Sequence, residues 1–489
     1  MKYTNPIIKG FHPDPSICFD GENYFLVTSS FEYFPCLPVF KSKDLVNWEQ
    51  IGAVIENGEY LDLKGIKNSM GLFAPTIRFH KGHYFVVCTN VSQGNFVCHT
   101  TDPEKGWSKP YWIDCPRGID PSLTFLEDKC FYQLSVMGEL NEIIQFEIDP
   151  FSGKVLTDAE TISHGCGGRD AEAPHIFEKD GWFYLTLAEG GTREGHMVTI
   201  LRSETIGGPY LPCPANPVLT NRNIKSQLQS VGHADFFADK NGNWWAVALS
   251  TRPIKHFTLL GRETILLPVE WQNGWPVVNG NGTAIVSIET ARINEPQIEK
   301  GSEYNHFTKE KAVSLCLPLS SQFNAEDVTI QNLPSEIKLP DNTPVPFLSV
   351  CQEEYKMQFT SELQLDELTN GDFGIMIYKD DYHHCKFGIR NSNGEYSVFT
   401  EKCVFDISEE KQISISDLKK LTLLLKSDGS TYHMEIVDED QNSLLTGQIA
   451  TRHFSNEAAN SPFTGVQIGI FAKASEGQTE FQRTRMTYS

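Results

Sequence analysis

Apolar and aromatic residues fall in short runs bounded by Gly, Asp and Asn along the chain, and long stretches with an apolar period of about 3.6 residues are scarce. This pattern predicts strands joined by tight turns, and hence an all-β protein. In the first half of the chain the runs repeat. Asp14-Pro15-Ser16-Ile17-Cys18-Phe19 passes through Asp20-Gly21 into Tyr24-Phe25-Leu26-Val27, and Ala74-Pro75-Thr76-Ile77-Arg78-Phe79 passes through Lys81-Gly82 into Tyr84-Phe85-Val86-Val87 in the same way. Asp120-Pro121-Ser122-Leu123-Thr124-Phe125 and Ala173-Pro174-His175-Ile176-Phe177 open two more copies, and His233-Ala234-Asp235-Phe236-Phe237 opens a fifth that lacks the proline. The copies lie roughly 45 to 60 residues apart, which suits four-stranded propeller blades with loops of unequal length. Five copies predict a five-bladed β-propeller. A β-sandwich with chance similarity between hairpins is the alternative on pattern alone.

In a propeller the innermost strand of each blade lines the central channel, so equivalent positions converge at one end of one axis. Those positions are Asp14, the pair Phe73-Ala74, Asp120, the pair Glu172-Ala173, and His233. Three of them carry carboxyl groups, and three converging acids raise one another's pKa. An Asp before Pro also caps turns. A turn cap explains any one of the three more easily than all three at matched positions.

Beyond Thr290 the pattern changes. A polar stretch from Ala291 to Tyr304 contains Pro296, and short strands resume at Phe373-Gly374-Ile375-Met376-Ile377-Tyr378 and Leu421-Thr422-Leu423-Leu424-Leu425. The expected division is a propeller over residues 1–300 and a β-sandwich over residues 305–489.

Composition narrows the function. With 63 acidic against 41 basic side chains, the net charge of −22 repels phosphate backbones and anionic membranes, so neither nucleic acid nor a membrane is an expected partner. The first residues lack the charged and then apolar regions of a signal peptide, and no apolar run approaches membrane-spanning length, which suggests a cytoplasmic protein. The 12 Cys show no close-paired metal-ligand spacing and read as reduced thiols. Assembly is not legible, and a homo-oligomer stays open.

Hydrolysis of a glycosidic bond needs one carboxylic acid to protonate the leaving oxygen and one carboxylate to attack or to activate water. A third can tune the first. Glu172, with the longest reach, is the candidate general acid; Asp120 supplies the charge that keeps it protonated; Asp14 is the candidate base. An acid–base separation of roughly 6.5 to 9.5 Å is expected if the base activates water. Arg262 is a candidate for holding sugar hydroxyls or a carboxylate, with an ion pair to Glu263 or another acid as the alternative. His233 reads equally as a polar core residue, a water holder or a ligand for an axial cation.

The same residues resemble glycoside hydrolase family 43, specifically its β-xylosidase and α-L-arabinofuranosidase group with an appended C-terminal sandwich, which implies that the sandwich over residues 305–489 is of jelly-roll, concanavalin A-like type. Asn5-Pro6-Ile7-Ile8-Lys9-Gly10-Phe11-His12-Pro13-Asp14-Pro15-Ser16 is similar to the opening motif whose aspartate, here Asp14, is the general base. Gly118-Ile119-Asp120-Pro121-Ser122 resembles the segment with the pKa-modulating acid, and Glu172-Ala173-Pro174-His175-Ile176 the one with the general acid. The resemblance further implies that Phe31 lines the sugar subsite, that Arg262 binds hydroxyls, and that His233 is the axial histidine, which in some relatives touches calcium. No cofactor is then required, and a structural Ca²⁺ on the propeller axis is the one candidate. Many xylosidases of the group have Trp before Ala-Pro in the second blade. Here Phe73 offers a smaller platform, which leaves the preferred sugar open. Phe463, in Ser461-Pro462-Phe463-Thr464-Gly465, is the candidate aromatic lent by the sandwich to the active-site rim, its alternative being a core Phe.

The expected activity is exo-acting, inverting release of terminal xylosyl or arabinofuranosyl units from small oligosaccharides. Another five-bladed glycosidase or a glycoside phosphorylase is the rival within catalysis. A phosphorylase calls for clustered basic residues, and near the site only Arg262 and Arg169 come into question. A non-catalytic sugar-binding protein would be expected to lack the acid and base.

Overall fold

A computed structural model describes residues 1–489 apart from 64, 137, 139–140, 316–320, 325–326, 332–345, 366–367, 460 and 475–476. Five four-stranded antiparallel sheets form a ring. Their innermost strands are Ser16–Phe19, Thr76–His80, Ile119–Leu126, Glu172–Lys179 and Gln229–Ala238, which we call blades I to V. Each inner strand contacts the next, and blade V contacts blade I, so the ring is closed and every repeat read from the sequence is one blade.

The closure is made by the N-terminus. Lys2–Thr4 pairs with Ser287–Glu289, and the chain then runs along the blade V strand Glu263–Gln272. Asn5 Nδ2 donates to Leu266 O at 2.9 Å and Asn5 Oδ1 accepts Leu266 N–H at 2.9 Å, so one side-chain amide mimics a strand pair. Ile7 N–H donates to Thr264 O, and Thr264 N–H donates to Ile8 O. Between the blades the layers are apolar. Leu26, Trp245, Val247, Ile265 and Leu267 are fully buried in the cluster that joins blades I and V.

The second domain is a two-sheet sandwich. Its seven-stranded sheet runs Ser321–Asn324, Asp327–Gln331, Gln478–Tyr488, Lys356–Gln364, Lys420–Asp428, Thr431–Val437, Ser443–Ala450 in spatial order. The other sheet runs Ile407–Ile415, Glu395–Val404, His383–Ser392, Gly371–Asp380, Gln467–Ala474, Phe347–Cys351, Val313–Leu315 and ends on Tyr33–Phe34. That last strand belongs to blade I's connecting loop, so a sheet of the sandwich is completed by the propeller. Alternation along Lys356–Gln364 and Lys420–Asp428 buries Met357, Phe359 and Leu363 against Leu421, Leu423 and Leu425, the period-2 pattern of a sheet with one covered face. A further buried cluster spans the domain boundary: Phe11, Phe31 and Tyr33 from the propeller pack with Leu315, Phe347, Met376, Tyr378 and Phe471 from the sandwich. Among the described residues no helix is long and apolar enough to cross a membrane.

Candidate active site

The backbone aims the acids. At the top of blades III, IV and V the ladder slips between Ile119 and Ser122, between Glu172 and His175, and between Gly232 and Asp235. Inside these bulges Asp120, Ala173 and His233 take left-handed conformations (φ 55°, 53° and 47°), and Asp14, just before the blade I strand, does the same at 56°. A non-glycine residue pays roughly 1–2 kcal/mol for that conformation. The bulge turns the side chain from the sheet face into the channel mouth, which a regular pleat does not allow.

All eight residues singled out in the sequence meet around one cavity of about 520 Å³: Asp14, Phe31, Phe73, Asp120, Glu172, His233, Arg262 and Phe463. Arg169, Asp170, Thr192 and Arg193, from blade IV and its Gly190-Gly191 loop, complete the wall.

Asp14 is buried and fully engaged. Arg262 donates from Nη1 to Oδ1 at 2.9 Å and from Nη2 to Oδ2 at 3.3 Å, and Ser29 Oγ donates to Oδ2 at 2.6 Å. Burial opposes its charge, but the Arg262 guanidinium, the His233 ring and the Ser29 hydrogen bond outweigh burial and hold the carboxyl below its usual range. Arg262 is therefore paired with Asp14 and not with its neighbour Glu263. Glu263 instead accepts Arg252 at 2.7 and 2.8 Å and Gly10 N–H at 2.8 Å. Arg262 Nη1 also donates to Thr192 Oγ1 at 3.1 Å.

Asp120 and Glu172 behave in the opposite way. Burial first, and then the charges of Glu172 and Asp14, push the Asp120 carboxyl well above the ordinary range. Burial and the charge of Asp14 raise Glu172 as well. The two titrate as a unit and retain a proton between them near neutrality. Glu172 is the more open of the two toward the cavity. The site thus holds one carboxylate kept ionised beside a carboxyl pair that keeps one proton, the division of labour that acid–base hydrolysis requires. Removing one member should show it. Asp120→Asn is expected to lower the pKa of Glu172 by deleting a nearby negative charge, and so to move the basic limb of the pH–rate profile to lower pH while reducing the rate. An unchanged rate and limb would make Asp120 a turn cap.

Three phenylalanines form the wall facing the acids. Phe31 stacks on Phe463 with centroids 5.6 Å apart, and Phe73 meets Phe31 at 5.1 Å and Phe463 at 5.7 Å. The Arg262 guanidinium lies 5.6 Å from the Phe31 ring and 5.4 Å from the Phe463 ring. Phe463 thus reaches the rim from the sandwich and is not a core residue of it. Its loop is gripped at successive carbonyls: Asn456 Nδ2 donates to Pro462 O, Arg262 Nε to Phe463 O, and the fully buried Lys379 to Thr464 O. On the propeller side Ser69 Oγ meets Ser461 Oγ and accepts Phe463 N–H. Gly261 and Gly465 let the two backbones touch; a Cβ on Gly465 would stand 2.5 Å from Leu260 O.

His233 faces Asp14, with Nδ1 3.5 Å from Oδ1, and burial pulls its pKa down to about 4, so the ring is neutral. Among the described residues no group of three His, Cys, Asp or Glu side chains is arranged around a metal position. Deeper on the axis the positive charge is the protein's own. Arg78 donates to both oxygens of Asp235 at 2.8 and 3.1 Å and meets His175 Nδ1 at 3.0 Å, while Ser16 Oγ donates to Asp235 at 2.8 Å. This Arg78–Asp235 pair ties blades I, II, IV and V together beneath the site. The sequence reading did not single it out, nor Ser29 and Thr192. The signals available were small: within the repeat copies Asp235 aligns with Ser16, Thr76, Ser122 and His175, and Arg78 with Cys18, Thr124, Phe177 and Phe237, so each is the one Asp, Glu, Lys or Arg at its position.

The chain matches Glycosyl hydrolases family 43 over residues 3–276 and the Beta xylosidase C-terminal Concanavalin A-like domain over residues 332–483. It is 32% identical to a non-reducing end α-L-arabinofuranosidase of Bacteroides ovatus, over 96% of this chain and 91% of the relative. To a xylosidase/arabinosidase of Butyrivibrio fibrisolvens it is 32% identical over 97% of this chain and 96% of the relative. Its fold is similar to that of a solved xylan β-1,4-xylosidase from Bacillus halodurans C-125, with a TM-score of 0.90 and 25% identity over 99% of this chain and 100% of the other. With family matches in both domains and relatives that align along nearly the whole chain, the protein belongs to glycoside hydrolase family 43.

Proposed function

We propose that this glycoside hydrolase removes single xylosyl or arabinofuranosyl units from the ends of small oligosaccharides with inversion at the anomeric carbon. The observation that carries the reading is the asymmetry of the three carboxyls. Asp14, its charge fixed by Arg262 and Ser29, is suited to take a proton from water, and the Asp120–Glu172 pair, which retains a proton, is suited to give one to the leaving oxygen. The Phe31, Phe73 and Phe463 wall offers apolar faces to one sugar, and the Phe463 loop closing over the propeller mouth favours a chain end over a mid-chain segment. The names of the aligned relatives support pentosyl substrates of both kinds. No cofactor enters the proposed reaction. The buried free thiols, such as Cys36, Cys88 and Cys98, suit a reducing compartment, and we place the enzyme in the cytoplasm.

Phosphorolysis is less favoured by the geometry, because of the three arginines around the cavity Arg262 is paired with Asp14 and Arg169 with Asp170 at 2.6 Å, which leaves Arg193 and not the cluster of basic groups that phosphate calls for. The test is hydrolysis of nitrophenyl β-D-xyloside and nitrophenyl α-L-arabinofuranoside, followed by proton NMR of the first sugar formed. Release of pentose with the anomeric configuration opposite to the substrate's is expected. Retained configuration would overturn the mechanism, and inactivity on both glycosides the substrate class.

A further inference from the structure

The strand Ile407–Ile415 ends the eight-stranded sheet of the sandwich. It pairs along its full length with Glu395–Val404, and no strand among the described residues pairs with its other edge. Its residues from Ile407 to Ser414 are all exposed, and the strand contains neither Pro nor Gly. Of the usual ways of blunting an edge, charged side chains are present here as Glu409, Glu410 and Lys411, but a proline, a bulge and a short strand are not. Instead this edge runs about 30 Å and carries large apolar groups: Ile407 is 69% exposed, Ile413 46%, and Phe405 at the preceding turn 64%.

The side chains on one face, Ile407, Glu409, Lys411 and Ile413, read apolar, acidic, basic, apolar. That order is its own complement when reversed. We infer that this edge is the contact surface for a second copy of the chain, docked antiparallel about a two-fold axis through Glu410, so that two eight-stranded sheets join edge to edge. In that register Glu409 faces Lys411 of the partner subunit and Ile407 faces Ile413 of the partner subunit, and each pairing occurs twice, as an isologous contact requires. Sliding the axis to Lys411 or to Glu409 opposes two lysines or two glutamates and loses both Glu–Lys pairings, whereas the axis at Glu410 opposes one pair of glutamates and makes both, so the charges select one register. Intervening positions of the axis put inward-pointing backbone groups opposite outward-pointing ones.

The other face does not oppose this arrangement. Glu410 meets its own copy at the centre, but its Oε1 accepts Arg390 Nη1 at 2.8 Å, and Arg390 is itself held by Asp372 at 2.8 and 3.0 Å. A guanidinium therefore stands beside each central carboxylate. The intrachain contacts of Glu409 with Lys402 at 3.5 Å and Lys411 at 3.3 Å show that the acidic and basic groups already lie along the edge. No residue of the catalytic cavity takes part.

Sedimentation velocity and light scattering on the full chain test this. A dimer at micromolar concentration is expected. Glu409→Lys and Lys411→Glu each set like charges opposite one another at both ends of the contact and should weaken the dimer on the order of tenfold or more. Combining them restores opposite charges in the same register and should restore the dimer. Circular dichroism and glycoside turnover should be unchanged in all three, which separates loss of assembly from loss of fold. A wild-type monomer throughout the micromolar range would mean that the charges guard the edge and would overturn the inference. So would a dimer indifferent to both single reversals, or one that the double reversal fails to recover.

Discussion

Asp14→Ala is expected to lose on the order of 10² to 10⁴ in rate, and to lose it equally on activated and unactivated glycosides. Water must be activated whichever group departs, so a good leaving group offers no escape. The loss has a second component that the structure makes visible. The Arg262 guanidinium, buried between Phe31 and Phe463, would be left without its carboxylate. Breaking a buried pair in this way costs about 3–5 kcal/mol, so the alanine variant should also melt at a lower temperature. Asp14→Asn keeps the shape and one acceptor, and separates the effects: its melting temperature should lie closer to wild type while its rate stays low. Azide should restore turnover of the alanine variant by replacing the activated water, giving a glycosyl azide of inverted configuration. A rate loss that shrinks markedly on a dinitrophenyl glycoside would deny Asp14 the role of base.

For Glu172→Ala the leaving group should decide the outcome. An alkoxide needs a proton as it departs and a dinitrophenolate hardly does, so the variant should lose about 10² to 10⁴ on a natural disaccharide and far less on the activated substrate. The basic limb of the pH–rate profile should vanish with it on the activated substrate, because that limb reports loss of the proton shared with Asp120. The acidic limb should persist, since it reports protonation of Asp14, whose carboxyl is held low by Arg262. Equal losses on both leaving groups would exclude Glu172 as the acid.

The five blades were legible because each repeat copy carries the same turn and the same aromatic strand, and the acids were legible because they occupy matched positions in those copies. What the sequence left undecided were contacts between distant segments. Arg262 and Glu263 are neighbours, and an ion pair between them is the simplest reading of the sequence. In an extended chain, however, successive side chains point to opposite faces, and the two residues find partners 248 and 11 positions away, Asp14 and Arg252. The same reason hides Arg78–Asp235, a pair 157 residues apart. His233 was open among a polar core residue, a water holder and a cation ligand, because a single His in a sequence does not show what faces it; in the structure it faces Asp14, with Nδ1 3.5 Å from Oδ1. Phe463 was placed at the rim by resemblance too. What the sequence could not show is how that loop is held, by three carbonyls taken up by Asn456, Arg262 and Lys379.

The ring is closed by the segment just ahead of the base, which has a consequence in time. A ribosome adds about 5–20 residues per second, and 248 residues separate Asp14 from Arg262. Asp14 therefore leaves the exit tunnel on the order of tens of seconds before the arginine that fixes its charge, and before the strand against which Asn5 and Ile7 lie. Throughout that interval it is an ordinary aspartate on a loose leader, beside a first blade whose neighbour on one side does not yet exist. Phe463 arrives 201 residues after Arg262. A nascent chain can therefore carry the carboxyls without the enzyme, and competence waits for two later arrivals, the fifth blade on which the segment ahead of Asp14 seats and the second domain that seals the mouth.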